Sequence, residues 1–349
     1  MISRRRLVAP LSLLTALLAL SLQCQGCASS NDAGENAGER AEEELRRKAK
    51  LQLVVTVDWE GRDLREDNLR AMEALRARFP QVKIIHFLNA AYYEKALANA
   101  ADVTARVNRV LRPGDEKGLH IHGWKRLFDA SAVTFRGSPT FWGTTIDPKS
   151  RECLDDCGHE VPISLYSSDE LRRVVRFSLD TLEANGFGRA KSFRCGGWIA
   201  KPAVRDAVAA EGLTYEHSEV PVAFLEAKLG GLPLFAWLSE VWPTATPLSQ
   251  PHFLPTSTTS LVEVPDNGAL ADYVVAQQMI DVFEKNKAEL LRRRTQQSRV
   301  VSIGFHQETA AMFLPQVTLA LDKILAEVAT ENLPFESVTS ASLSAAPVP

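Results

Sequence analysis

The chain has 349 residues, 45% of them hydrophobic and 24% charged, and its 40 basic against 43 acidic side chains leave a net charge of −3. That balance is ordinary for a globular protein and excludes a largely disordered or collagen-like chain. It offers no basic surplus for holding nucleic acid, and the length suits either two small domains or one large one, such as a single α/β barrel with extended loops.

In chain order, the first segment stands outside the fold. Arg4, Arg5 and Arg6 precede an apolar run over residues 7–22, followed by Cys24-Gln25-Gly26-Cys27-Ala28-Ser29-Ser30. A basic start, an apolar middle and small residues at the end predict a secretory signal over residues 1–27. A membrane span is the competing reading, but the run is short and no basic flank follows it. Gly26-Cys27-Ala28-Ser29-Ser30 also resembles a bacterial lipobox, with Cys24 where that motif usually has Leu. The resemblance implies lipidation at Cys27, an N-terminal lipid anchor in the membrane and a place in the bacterial cell envelope; plain secretion is the alternative. Residues 28–50 carry Gly, Asn, Ala and mixed charges without an aromatic residue and read as a flexible tether. The folded domain is expected over residues 51–345.

From there short β-rich runs alternate with longer helical patterns. Residues 51–57 predict a strand ending at Asp58. A helix over 67–79 places Leu69, Met72, Leu75 and Phe79 on one face and stops at Pro80. A strand over 82–88, a helix over 93–111 ended by Pro113-Gly114, and a strand over 118–124 follow. Residues 128–164 lack periodicity and read as a long insertion loop that could wall a site. A helix capped by Ser168 runs to Asn185 and ends at Gly186. Strand 192–194, helix 203–211 and strand 213–218 come next. Residues 230–259 are Pro-rich and irregular, marked by Trp237, Trp242 and His252. The chain closes with strand 261–264, helix 270–294, strand 300–305, helix 314–330 and strand 335–338. About seven strand–helix repeats predict parallel strands with crossover helices, apolar on both faces. An open doubly wound sheet is the rival, but it usually shows a Gly-rich phosphate turn after the first strand. Here acids stand at that place, and neither a Walker motif nor Gly-x-Gly-x-x-Gly occurs.

Four strand ends carry polar side chains: Thr56-Val57-Asp58-Trp59-Glu60, Gly118-Leu119-His120-Ile121-His122, Phe193-Arg194-Cys195-Gly196-Gly197-Trp198 and Gly304-Phe305-His306-Gln307-Glu308. In a parallel barrel such ends converge on one mouth. Asp58 and Glu60 are two apart and share a face in an extended strand, and so do His120 and His122. Two carboxylates and two imidazoles suit a divalent first-row ion such as Zn²⁺, with positions left for water and substrate. Of five cysteines, Cys24 and Cys27 fall at the signal. Cys153 and Cys157 read as a loop disulfide or two free thiols. With His159 they also suggest zinc, but a fourth ligand is not evident. Cys195 is expected to pack as a small buried residue.

These motifs resemble those of the polysaccharide deacetylases, the NodB-homology or carbohydrate esterase family four group, over about residues 51–343. The resemblance implies an irregular (β/α) barrel of seven or eight strands in a single domain. Thr56-Val57-Asp58-Trp59-Glu60 is similar to the family's acidic motif, which makes Asp58 the base and Glu60 a metal ligand. Glu116-Lys117-Gly118-Leu119-His120 is similar to the start of its two-histidine motif. The fourth residue after His120 is Trp124 rather than His, so the second ligand is His122 or another residue. Arg194 matches the family's arginine motif without its proline, and His306 matches its last histidine. The implied activity is metal-dependent removal of acetyl groups from an N- or O-acetylated polysaccharide or cell-envelope glycan, with Zn²⁺ the expected ion. In that scheme Arg194 aims Asp58 and keeps it ionised, His306 protonates the leaving amine, and Trp124 and Trp198 are candidates for stacking on sugar rings. Two other readings stay open: a non-catalytic glycan-binding envelope protein with a degenerate site, and a hydrolase of small amides on the same barrel. Nothing in the sequence marks an oligomeric state.

Overall fold

A computed structural model describes residues 49–292 and 297–345. The signal, the lipobox at Cys27 and nearly all of the tether fall outside them. Nine strands are found among the described residues: β1 (Leu51–Asp58), β2 (Ile84–Leu88), β3 (Glu116–Ile121), β4 (Ser192–Cys195), β5 (Tyr215–Glu216), β6 (His252–Pro255), β7 (Ser260–Glu263), β8 (Arg299–His306) and β9 (Phe335–Ser337). Their order is β6-β7-β5-β4-β3-β2-β1-β8, with β9 added to β1. All pairs are parallel except β6 with β7. Parallel neighbours need a crossover, and helices supply most of them. Glu66–Arg78 joins β1 to β2, Ser168–Ala184 joins β3 to β4, and Ala276–Leu291 joins β7 to β8.

β1 is mostly apolar, rich in β-branched residues and buried throughout. β8 pairs with its whole length, while its other edge is divided. β9 takes Leu51–Leu53 and β2 takes Val55–Asp58. The far edge of β8 is covered by the stretch that follows β7. The Gly268 amide donates to the Ser302 carbonyl at 2.8 Å, and the Ala271 amide to the Gly304 carbonyl at 2.8 Å. The side-chain amide of Asn267 accepts from Ser302 N at 2.9 Å and donates to Val300 O at 2.8 Å. The sheet thereby curls upon itself as the irregular barrel expected from the sequence, in one domain.

The period-2 alternation of strands divides the apolar residues. Leu53, Val55 and Val57 face the helices and belong to the large outer core. Val54, Ile85, Phe87, Val264 and Val300 form a small inner cluster. Above it the inward positions turn polar, ending in Thr56 and Asp58 on β1. Gly118 leaves room for the inner ring of Phe87, since a Cβ there would lie 2.6 Å from Phe87 Cδ1.

Several expected elements differ, each for a physical reason. The helix over 93–111 is two pieces, Ala91–Glu94 and Ala100–Asn108. Lys95 is extended, and Asn99 caps the second piece by accepting from Asp102 N. Ser167, not Ser168, caps the next helix, in a capping box with Glu170. The helix expected from residue 270 begins at Ala276, because residues 268–271 are engaged with the edge of β8. The irregular stretch over 230–259 holds a helix, Pro233–Val241, and the antiparallel strand β6. Cys153 and Cys157 form a disulfide, so the zinc reading of that pair falls: its sulfurs bond to each other. Cys195 is a buried free thiol.

Candidate active site

Register does the first part of assembly. Asp58, the last residue of β1, pairs with His306, the last of β8. His120 on β3 pairs with Arg194 on β4. In-register residues of parallel strands point the same way, so four chemically active side chains turn inward at one end of the barrel. Asp58, His120 and His306 line a pocket of about 50 Å³, with Glu60, His122, Phe141, Trp142, His159, Trp198, Leu234 and Tyr273 among its other walls, and Arg194 lies buried behind Asp58. A space that size takes a small acyl group or a few waters, not a sugar ring.

Asp58 is anchored by Arg194, whose Nη1 lies 2.9 Å from Asp58 Oδ1 and 2.9 Å from Thr56 Oγ1. Arg194 is fully buried. Its Nε donates to the His217 carbonyl at 2.9 Å, its guanidinium lies 4.7 Å over the Phe87 ring, and Nη2 is 3.6 Å from Asp266. One cation thus stands between two buried carboxylates. Burial pushes Asp266 up to about 6 against the pull of Arg194.

Glu60 lies beyond the strand and is held through its backbone. Its N–H donates to Glu308 Oε2 at 3.1 Å. Its carbonyl accepts from Trp124 Nε1 at 2.7 Å and Asn89 Nδ2 at 3.1 Å. Gly61 follows at φ +80°, and a Cβ there would meet both Asn89 and Trp124 at 2.9 Å. Pinned in this way, the Glu60 carboxylate reaches into a ring of imidazoles. His120 Nε2 is 3.1 Å from Oε1, His122 Nε2 is 2.9 Å from Oε2, and His306 Nε2 is 3.6 Å from Oε1. Burial works against the charge on Glu60, but His122 and His306 beside it and the bond to His120 hold its carboxyl well below the ordinary value.

The donor set suits a cation on chemical grounds. His120 Nδ1 faces the Arg194 carbonyl at 2.8 Å and His122 Nδ1 faces the His159 carbonyl at 2.7 Å. A carbonyl only accepts, so each ring carries a proton at Nδ1 and, when neutral, a bare lone pair at Nε2. Two lone pairs aimed at a carboxylate repel unless a positive charge lies between them. Imidazoles that ligate metals are oriented in this way, through the nitrogen away from the ion. The ligand atoms of Glu60, His120 and His122 lie within 4.8 Å of one another, as do those of Asp58, Glu60 and His306. The residues present fit a divalent ion.

His306 is backed by a residue that the sequence did not single out: Asp272 Oδ2 lies 2.9 Å from its Nδ1. Burial works to lower His306, and the carboxylates of Asp272 and Glu60 outweigh it and push it up to about 10. Also missed were Asp266, Tyr273, Phe141 and Trp142. His159 was noticed only beside the cysteines. It stacks on His122, ring centroids 4.0 Å apart, and its Nε2 contacts Glu60 Oε2.

Trp124 and Trp198 require a correction. A surface for stacking on sugar needs an open face, and Trp124 is buried, with Lys95 Nζ 3.3 Å over its ring and its N–H spent on Glu60. Trp198 lines the pocket but is also buried, its N–H 3.2 Å from Asp266 Oδ2. The open aromatic at the rim is Trp142, 45% exposed.

No family model and no curated protein matches the chain. In fold it is similar to polysaccharide deacetylases and family 4 carbohydrate esterases. A Mycobacterium smegmatis protein assigned as a polysaccharide deacetylase is 12% identical with a TM-score of 0.46, over 84% of this chain and 88% of that one. A PuuE allantoinase is 12% identical at 0.48, over 84% and 89%. A family 4 acetyl xylan esterase from Clostridium thermocellum, in complex with a cobalt ion, is 14% identical at 0.36, over 81% and 86%. Identity at this level leaves the chemistry to be read from this chain's own side chains.

Proposed function

We propose that the protein is a metal-dependent hydrolase that removes acetyl groups from an N- or O-acetylated polysaccharide or cell-envelope glycan. The observation that carries this reading is the convergence of the Glu60 carboxylate with the Nε2 atoms of His120 and His122, whose Nδ1 atoms each face a carbonyl, beside an arginine-anchored Asp58. Glu60, His120 and His122 would hold the ion. When bound, it would supply Lewis acidity toward a carbonyl oxygen and lower the pKa of water to about 7.

The chain's own residues supply the remaining steps. Asp58 accepts the proton of the attacking water. Arg194 keeps that carboxylate aimed through a bond that burial shields from solvent. His306, with Asp272 behind its Nδ1, delivers a proton from Nε2 to the departing amine or alcohol. Phe141, Trp142, Trp198, Leu234 and Tyr273 enclose the acyl group and exclude bulk water. A pocket this small obliges a polymer to lie outside and present one acetyl group, and Trp142 at the rim is placed to meet it.

The glycan substrate and the ion's identity as Zn²⁺ rest on the sequence resemblance. So does export, with Cys27 as the point of lipid attachment to the membrane. Fatty-acid labelling lost in Cys27→Ser supports the anchor, and labelling retained refutes it. The function is tested by acetate release from a panel of acetylated polymers and small amides, before and after chelation and with Zn²⁺ or Co²⁺ restored. Metal-dependent acetate release from a polymer is expected. Turnover of small amides alone moves the protein to the other hydrolase class, and metal uptake without any turnover moves it to the binding proteins.

A further inference from the structure

Three of the four imidazoles around Glu60, those of His120, His122 and His159, do not carry their protons in the same place. His120 and His122 are N–H at Nδ1, because each faces a carbonyl oxygen there. His159 is reversed. Its Nδ1 lies 3.3 Å from Nη2 of Arg62, and a guanidinium nitrogen only donates. The His159 Nδ1 is therefore the acceptor, the ring proton sits on Nε2, and that N–H donates to Glu60 Oε2. A ring in this tautomer has no lone pair to offer an ion beside Glu60.

The loop that bears His159 is fastened to the end of β3. The Lys125 amide donates to the Cys157 carbonyl at 2.8 Å, within the disulfide-closed turn. Gly158 takes φ +101°, and Gly123 lies so close under the loop that a Cβ would stand 2.5 Å from the Val161 carbonyl. One residue of this loop thus does two things. The carbonyl of His159 fixes the ring of His122, and its side chain grips the carboxylate of Glu60.

We infer that His159 and Arg62 are positioning residues for the metal centre: Arg62 sets the His159 tautomer, and His159 turns the Glu60 carboxylate toward the ion without ligating it. The inference rests on the metal reading above. One lone pair of Glu60 Oε2 accepts from His159 and the other stays free for the ion. Partners of this kind, which hold a ligand rather than the metal, are worth about 10- to 100-fold in metal affinity.

The test uses the full chain and Zn²⁺ alone. Long-range ¹H–¹⁵N spectra of the Zn²⁺-loaded protein are expected to show two rings bound to zinc through Nε2 and His159 protonated at Nε2. Calorimetric titration is expected to show His159→Ala weakened by about 10- to 100-fold. His159→Gln, whose amide N–H can reach the same oxygen, should stay within a few-fold of the unaltered chain. Arg62→Met should weaken binding less than His159→Ala and mix the His159 tautomers. Three zinc-bound imidazoles, undiminished affinity in His159→Ala, or His159→Gln as weak as His159→Ala would overturn the role of His159. An unchanged His159 tautomer in Arg62→Met would overturn that of Arg62. No Zn²⁺ uptake by the unaltered chain is a separate result: it sinks the metal reading first and this inference with it.

Discussion

The floor and the wall of the pocket are built on different principles. The floor is made by strand ends: Asp58, His120, Arg194 and His306 sit where parallel register puts them, and three of them are almost wholly buried. Arg194 is fixed by bonds to Thr56, Asp58 and the His217 carbonyl. The wall comes from outside the parallel strands: Phe141, Trp142 and His159 from the long insertion, Leu234 from the short helix Pro233–Val241, and Tyr273, beside the Asp272 that backs His306, from the stretch between β7 and the helix Ala276–Leu291. Only Trp142 among them is exposed, and the insertion is tied down by backbone bonds, one disulfide and the contact of His159 with Glu60. A rigid floor holds reacting groups in place, while a wall of loops can change its contacts without unfolding the barrel. Floor substitutions should therefore strike chemistry and stability, and wall substitutions chiefly binding.

The largest effect is expected at the floor's base. Asp58→Asn should lower kcat by about 10²- to 10⁴-fold, the usual worth of a general base, with metal content unchanged. Loss of the metal together with activity would mean that Asp58, not Glu60, is the ligand. Arg194→Met should cost about 3–5 kcal/mol in chemical denaturation, because it strands two buried carboxylates. A cost below 1 kcal/mol would mean that Asp58 and Asp266 do not need the cation.

Acid should act on the barrel beneath the floor. His86 and His217 are fully buried, and burial holds both below the ordinary 6.5, only partly opposed at His86 by Asp115. Unfolded, they titrate near 6.5. Their contribution is thus complete above that pH and is lost as pH falls toward their folded values, where the unfolded chain binds more protons. Below pH 6.5 each should remove up to about 1.4 kcal/mol per pH unit. Replacing His217 by Phe should flatten the slope, and an unchanged slope would show that it is not the source. The smallest effect is expected at the rim. Trp142→Ala should raise KM for a polymer several-fold and shift stability by no more than about 0.5 kcal/mol. A fall in kcat with KM unchanged would place Trp142 among the reacting groups.

The same division explains what could be seen in the sequence. Asp58, His120, Arg194 and His306 stood out because strand alternation is simple and parallel strands share one mouth, and Glu60, which lies beyond β1, stood out by its spacing from Asp58. His122 was identifiable as a candidate by its spacing from His120. The wall has no such rule. Asp272 lies in a stretch whose periodicity suggests a helix, yet its neighbours at 268–271 are drawn to the open edge of β8, a tertiary demand that local pattern does not encode. His159 was visible beside Cys153 and Cys157, but the sulfurs close a turn and the ring serves Glu60, which lies 99 residues away in the chain. Trp124 was misplaced because its position after β3 says nothing of which way its indole turns, and the carbonyl of Glu60 takes its N–H.

The proposed metal centre is one divalent ion held by Glu60, His120 and His122. It is tested most directly by titrating the metal-free protein with Zn²⁺ and counting bound ions. One tightly bound ion per chain is expected, abolished in His120→Ala while the fold persists. No tight uptake by the unaltered chain, or undiminished uptake after His120 is removed, would contradict it.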